Sequence, residues 1–284
     1  MSYQTLISTA ELADNLGNPD WVILDCRFTL ADPGQTRRDY LAGHIPGALY
    51  AHLEEHLSSP VIPGRTGRHP LPSVEAATRT FSVWGIDAAV QVVCYDAAGG
   101  ALAAARAWWL LRWLGHPAAA VLDGGWQKWI GEARLLRLGP ESSSARRFIP
   151  HEHPEMLVTA AEVERLRLDP HSRLFDARAT ERFQGRNETI DPVAGHIPGA
   201  FSAPYSDNLA PDGTFKNPAV LRRHFIDLLE EVAPEQAVFY CGSGVTALHS
   251  VLAMQYAGLA EPRLYPGSWS EWITDPDRPV ATGA

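Results

Sequence analysis

The strongest constraint on this chain is that it repeats itself. Ala42-Gly43-His44-Ile45-Pro46-Gly47-Ala48 recurs residue for residue as Ala194-Gly195-His196-Ile197-Pro198-Gly199-Ala200, at an offset of 152 (194 against 42). Three further pieces recur in the same order. Leu6-Ile7-Ser8-Thr9-Ala10-Glu11 matches Leu157-Val158-Thr159-Ala160-Ala161-Glu162, and Leu24-Asp25-Cys26-Arg27 matches Phe175-Asp176-Ala177-Arg178. Gly124-Gly125-Trp126 with Trp129 matches Gly267-Ser268-Trp269 with Trp272. Ordered matches at nearly constant spacing mean two copies of one domain, each long enough to bury its own core. The expected division is a first domain over 1–135, a linker over 136–155 rich in turn signals such as Gly139-Pro140 and Ser142-Ser143-Ser144, and a second domain over 156–284.

Each copy opens on a capping-box pattern, Ser8-x-x-Glu11 and Thr159-x-x-Glu162, followed by apolar residues at helical spacing. Short apolar runs then alternate with amphipathic segments. Trp21-Val22-Ile23-Leu24, Arg173-Leu174-Phe175, Val90-Gln91-Val92-Val93-Cys94-Tyr95 and Ala237-Val238-Phe239-Tyr240 read as strands. The alternation predicts an α/β fold, with a mostly parallel central sheet flanked by helices in each copy. Ligands bind such sheets at the C-terminal ends of the strands.

One copy carries a distinctive residue there. Cys241 follows the strand Ala237-Val238-Phe239-Tyr240 and opens the turn Gly242-Ser243-Gly244-Val245-Thr246, before a helix over Ala247-Leu248-His249-Ser250-Val251-Leu252-Ala253-Met254. Unsatisfied N–H groups and the positive end of a helix dipole favour a thiolate at such a position, and a thiolate is a usable nucleophile. The alternative is a small apolar residue that merely packs in the turn. The duplication bears on the choice, because the first copy has Asp96 at the equivalent place. A nucleophilic Cys241 therefore predicts one active site, with the altered copy closing or shaping the cleft. A cysteine phosphatase would need an arginine six positions after the cysteine to grip phosphate. Ala247 stands there, which excludes that chemistry.

The formal net charge of −9 argues against nucleic acid as the main partner, since backbone recognition needs clustered Lys and Arg. It leaves room for a small anion held by one or two local arginines. Three scattered cysteines, Cys26, Cys94 and Cys241, without a CxxC pair, argue against a disulfide framework or a structural zinc site and suggest a reducing compartment. No apolar run is long enough to span a bilayer. The residues from Met1 to Ile7 lack the basic and apolar regions of a signal peptide, so the expected location is the cytoplasm. Cys26 and Cys94 fall on expected buried strands and read as inert. His44 and His196 occur in both copies, so they read as turn-supporting groups rather than catalysts. The tryptophans Trp108, Trp109, Trp113, Trp126 and Trp129 read as packing.

With both His-Ile-Pro-Gly-Ala segments, the Cys241-to-Thr246 loop and the segment Tyr265-Pro266-Gly267-Ser268-Trp269-Ser270-Glu271-Trp272, the chain resembles the two-domain rhodanese-type sulfurtransferases along essentially its whole length. The uncharged loop is similar to that of their mercaptopyruvate branch. The thiosulfate branch typically carries basic residues in this loop. The resemblance implies tandem rhodanese-like domains with the catalytic cysteine in the second. It implies sulfur transfer from 3-mercaptopyruvate through a Cys241 persulfide to cyanide or to an acceptor thiol of the thioredoxin or glutathione kind, with pyruvate released and no cofactor or metal. Gly242, Gly244, Val245 and Thr246 would line the anionic sulfur with backbone donors. Arg182, in Asp176-Ala177-Arg178-Ala179-Thr180-Glu181-Arg182-Phe183, matches the family's carboxylate-binding arginine. The second arginine of the family has no match in register, and Arg186 is the nearest substitute. A serine–histidine–acid relay maps onto Ser243, His69 and Glu54, with a glutamate where an aspartate is usual. The competing readings are a thiosulfate:cyanide sulfurtransferase, with Arg182 and Arg186 supplying charge, and a non-catalytic rhodanese-like binding module. If Arg182 holds the donor, Arg182→Ala should weaken sulfur uptake far more than discharge of a preformed persulfide, which single-turnover measurements of the two half-reactions would separate.

Overall fold

A computed structural model describes residues 2–283. Its chain divides into two compact units. The first comprises Met1–Ser59, Pro72–His153 and Ala210–Phe215, and the second Pro60–Leu71, Pro154–Leu209 and Lys216–Ala284.

The first unit is built on strands β1 (Leu6–Ile7), β2 (Trp21–Asp25), β3 (Ala48–Tyr50), β4 (Gln91–Tyr95) and β5 (Ala119–Leu122). They form one five-stranded sheet in the order β1-β5-β4-β2-β3, with every pair parallel. The continuous apolar runs follow from this topology. All five residues of β4 and all four of β5 are buried, because helices cover both faces of the sheet. The helix Ala104–Trp113 carries Trp108, Trp109 and Trp113 into this core, as the packing reading expected. Residues of the 136–155 stretch lie along this unit. Arg137 forms an antiparallel bridge with His44, Arg146 N–H donates to Ser82 O, and His151 N–H donates to Leu114 O.

The second unit contains β6 (Arg173–Asp176), β7 (Ala200–Ser202), β8 (Ala237–Tyr240) and β9 (Arg263–Leu264), in the parallel order β7-β6-β8-β9. The counterpart of β1 has shrunk to a single parallel bridge between Leu157 and Leu264. Both capping boxes are formed. Ser8 and Thr159 accept from Glu11 and Glu162 N–H, and the two glutamates return bonds to the cap backbone.

One polar arrangement is repeated in both cores. Each Asp-x-Arg tripeptide, at the ends of β2 and β6, folds onto itself. Arg178 Nε and Nη2 donate to the Asp176 carboxylate at 3.0 and 2.7 Å, and Nη2 also reaches Gly195 O at 2.6 Å. Its guanidinium lies 4.9 Å from the Trp269 ring centroid. Arg27 binds Asp25, Gly43 O and the Trp126 face in the same way. Tyr95 and Tyr240 complete the two networks by bonding Asp25 and Asp176, and burial pushes both phenols well above their ordinary pKa. His44 and His196 have the structural role expected of them. Each Nδ1 lies 2.8 Å from a backbone carbonyl, Tyr40 O or Phe183 O, and each ring stacks on that same aromatic residue. Cys26 is fully buried, and that burial beside Cys94 raises its thiol pKa well above normal.

Asp176 is fully buried and its main counter-ion is Arg178. Arg178→Met should therefore destabilise the fold by about 3–5 kcal/mol, and adding Asp176→Leu should recover most of the loss, because the cost lies in the unpaired charge. Denaturant midpoints of the two variants test this.

Candidate active site

Strand β8 ends at Tyr240 and the helix Ala247–Tyr256 begins seven residues later, so Cys241 and its loop sit at the C-terminal edge of the parallel sheet. The loop is fastened from below. Cys241 N–H donates to Ser268 Oγ at 3.1 Å, and that hydroxyl donates to Tyr265 O at 3.0 Å. Cys241 O accepts from Trp269 N–H at 3.0 Å, and Gly242 O accepts from Ser270 N–H at 2.9 Å. Gly244 is obligatory here. Its φ is +71°, and a Cβ would stand 2.2 Å from Pro266 O. Thr246 gives the following helix no side-chain cap. The N–H groups of Gly242, Ser243, Val245 and Thr246 meet no protein acceptor among the described residues, so the loop presents donors at a positive helix end. Cys241 is only 2 % exposed.

The first copy shows what such a loop holds. Asp96 takes the place of Cys241, and its carboxylate accepts from the N–H groups of Ala98, Gly100, Leu102 and Ala104 at 2.9–3.1 Å. Trp126 N–H bonds Asp96 O just as Trp269 N–H bonds Cys241 O. Burial outweighs the four donors and raises the Asp96 pKa. One copy thus carries an internal anion in its backbone nest, whereas the other carries a cysteine.

The other expected residues divide into those that meet at the loop and those that do not. Ser243 Oγ and His69 Nδ1 are 2.9 Å apart, both largely buried. His69 lies on the segment Pro60–Leu71, which belongs to the second unit although it comes from the first half of the sequence. Arg182 reaches the loop, with Nη2 and Nη1 3.6 and 3.7 Å from the point where a Cβ on Gly242 would stand. Val245 is buried and Thr246 half-buried. Arg186 is exposed. Its backbone N–H bonds Glu181 O, and its side chain makes no hydrogen bond or ion pair among the described residues. Glu54 belongs to the first unit and is exposed on the short helix Leu53–His56, where its N–H donates to His52 Nδ1.

Two charged residues at the loop had no motif to announce them. Arg68 Nη2 stands 3.0 Å from the same Gly242 Cβ position, and its N–H donates to Ser270 Oγ at 2.9 Å. Asp191, its side chain only 2 % exposed, bridges two guanidiniums. One oxygen pairs with Arg68 Nη1 and the other accepts from Arg182 Nη2 at 2.9 Å. Glu188 holds Arg182 from the other side and also accepts from Ile190 and Asp191 N–H. Burial works against the Glu188 carboxylate, but Arg182 and those two N–H donors prevail and keep its pKa below the ordinary value. Among the described residues no group of three or more His, Cys, Asp or Glu side chains is placed to hold a metal ion, and no helix is long and apolar enough to cross a membrane.

The rhodanese-like domain family matches residues 8–132 and 159–275, and the chain belongs to it. A Pseudomonas aeruginosa protein named "Probable 3-mercaptopyruvate sulfurtransferase" is 48% identical over 284 residues, covering 100% of both chains. The mouse thiosulfate sulfurtransferase is 31% identical over 293 residues, covering 99% of this chain and 96% of its own. Among solved structures, the 3-mercaptopyruvate sulfurtransferase from Leishmania major superposes with a TM-score of 0.82 at 29% identity, covering 95% of this chain and 74% of that one.

The lowered Glu188 pKa fixes the sign of a pH effect. Its contribution to stability is present above the ordinary value of 4.5 and is lost as pH falls below it. Glu188→Gln should therefore lower the melting temperature at pH 7, and the gap to wild type should narrow as the pH falls below 4.5 and through the lower folded value.

Proposed function

We propose that this protein is a sulfurtransferase that takes sulfur from 3-mercaptopyruvate onto Cys241 as a persulfide, releases pyruvate, and passes the sulfur to a thiol or to cyanide. The observation that carries this reading is the paired nest. Its first-copy version is filled by the Asp96 carboxylate, and its second-copy version offers the same kind of backbone donors around a sulfur atom. Donors that stabilise an internal carboxylate in one copy suit a thiolate, and then a persulfide anion, in the other.

On this reading the Cys241 thiolate attacks the donor sulfur. The S–S bond forms as the C–S bond breaks, and its electron pair moves onto the three-carbon fragment as the pyruvate enolate. The enolate carbon then takes a proton and becomes the methyl group of pyruvate. No electrons enter or leave the system. The Ser243–His69 pair is suited to deliver that proton, since its 2.9 Å contact gives a hydroxyl and an imidazole in one hydrogen-bonded relay. The part of Glu54 in the relay rests on family resemblance. Gly242, Gly244, Val245 and Thr246 contribute backbone rather than side-chain chemistry, and Arg182 anchors the donor carboxylate. Catalysis would then reside in 156–284 together with the arm that carries His69. The first domain, 1–135, would be the copy that lost its nucleophile.

A thiosulfate donor is the second reading. The likeness to the mouse thiosulfate sulfurtransferase favours it. Against it, the loop from Gly242 to Thr246 holds no basic residue.

Treatment with 3-mercaptopyruvate should add about 32 Da, one sulfur atom, to the peptide that contains Cys241, and Cys241→Ser should abolish both the adduct and thiocyanate formation from cyanide while the fold is kept. No adduct on Cys241 would refute the enzyme reading. Faster turnover with thiosulfate than with 3-mercaptopyruvate would shift the donor assignment to the second reading.

A further inference from the structure

The loop holds a second guanidinium that the helix-side sequence does not supply. Arg68 Nη2 and Arg182 Nη1 approach one point beside Gly242, at 3.0 and 3.7 Å from where a Cβ would stand there. Both are spare donors. Arg68 spends Nη1 on Asp191, while Arg182 spends Nε and Nη2 on Glu188 and Asp191. Neither Arg68 Nη2 nor Arg182 Nη1 has a protein acceptor among the described residues. The Asp191 carboxylate, one oxygen to each arginine, sets the separation of the two groups. Ser270 sets their register to the loop. Its hydroxyl accepts from Arg68 N–H, and its own N–H donates to Gly242 O. Two donors held in place before the ligand arrives spare it the ordering cost of recruiting two long side chains.

We propose that Arg68 is the second donor-anchoring residue of this active site, in the place for which Arg186 was the sequence candidate, and that the Arg68–Asp191–Arg182 bridge selects a monoanionic 2-oxo-carboxylate over a dianionic donor. This rests on the sulfurtransferase reading above and adds to it a residue and a basis for selectivity. A planar carboxylate has two oxygens to set against the two spare donors. The selectivity follows from charge. Arg68, Arg178 and Arg182 are balanced by Asp176, Glu188 and Asp191, with Arg178 Nη1 3.3 Å from a Glu188 carboxylate oxygen joining the buried pair to the other four. A cluster without net charge accommodates one added negative charge at less cost than two in a half-buried setting, with the Arg68 and Arg182 side chains 27% and 18% exposed. Arg68 also neighbours His69 in the chain, so the segment that anchors the donor is the one that carries the proton relay.

The test is steady-state kinetics of the full-length protein with 3-mercaptopyruvate and cyanide, set beside single-turnover discharge of a preformed Cys241 persulfide. Arg68→Ala should raise the KM for 3-mercaptopyruvate about 10–100-fold with a change in kcat of less than about threefold, and leave the discharge rate within about twofold of wild type. Arg68→Lys should recover only part of the loss, because an ammonium keeps the charge but not the fork. Normal discharge certifies that the variant is folded. An unchanged KM in Arg68→Ala overturns the proposal. So does an equal loss in donor use and discharge, or a KM rise in Arg186→Ala without one in Arg68→Ala. A wild-type protein that takes no sulfur from 3-mercaptopyruvate overturns the underlying reading instead, and that result is visible before any variant is made.

Discussion

The buried ion pair between Asp176 and Arg178 is what the second unit is arranged around. The aspartate ends β6, the arginine returns to grip it, and the same guanidinium fixes Gly195 O and lies against Trp269. Tyr240, the residue before the cysteine, bonds the aspartate and accepts from Ile197 N–H. Through these contacts one charge pair joins the end of β6, the His-Ile-Pro-Gly-Ala turn, the end of β8 and the helix that begins at Ser268. Each neighbour constrains Cys241 directly or at one remove. A buried pair of this sort is costly to desolvate and gives little net stability over an apolar core. Its persistence in both copies, as Asp25–Arg27 and Asp176–Arg178, fits a role in fixing geometry.

The two copies then diverge at one atom group. A carboxylate in the first nest satisfies four N–H donors and needs no ligand. A cysteine in the second leaves the N–H groups of Gly242, Ser243, Val245 and Thr246 without a protein acceptor among the described residues. Duplication thus supplies an internal comparison: the same scaffold is seen with its anion built in and with its anion still to be made.

Much of this was legible in the sequence, and for a physical reason. The repeat exposed the domain plan because the glycines, prolines and paired Asp-x-Arg residues serve backbone geometry that both copies share. Continuous apolar runs exposed the parallel strands because helices cover both faces. Cys241, Ser243, His69 and Arg182 stood in short motifs, and the structure brings these four side chains to one loop. Arg68 and Asp191 were not legible. Their meeting depends on a segment from the first half of the sequence joining the second unit, a long-range event that no local spacing encodes. Arg186 looked suitable by proximity along the chain, yet a short turn after the helix Thr180–Phe183 leaves it exposed. The loss of a full counterpart to β1 was equally hidden, since Leu157-Val158 keeps the apolar character of Leu6-Ile7 while forming only one bridge.

The composition of the units limits how far either copy stands alone. The second unit includes Pro60–Leu71 from the first half of the sequence, and the first includes Ala210–Phe215 from the second half, tied in by the bond from Phe215 N–H to Asp123 at 2.8 Å. Each unit is thus assembled from both halves of the sequence. Arg68 and His69 come from the half of the sequence that carries Asp96 where the other carries Cys241. A chain cut between the two copies would therefore leave the second unit without the segment that holds Arg68 beside Asp191 and His69 beside Ser243.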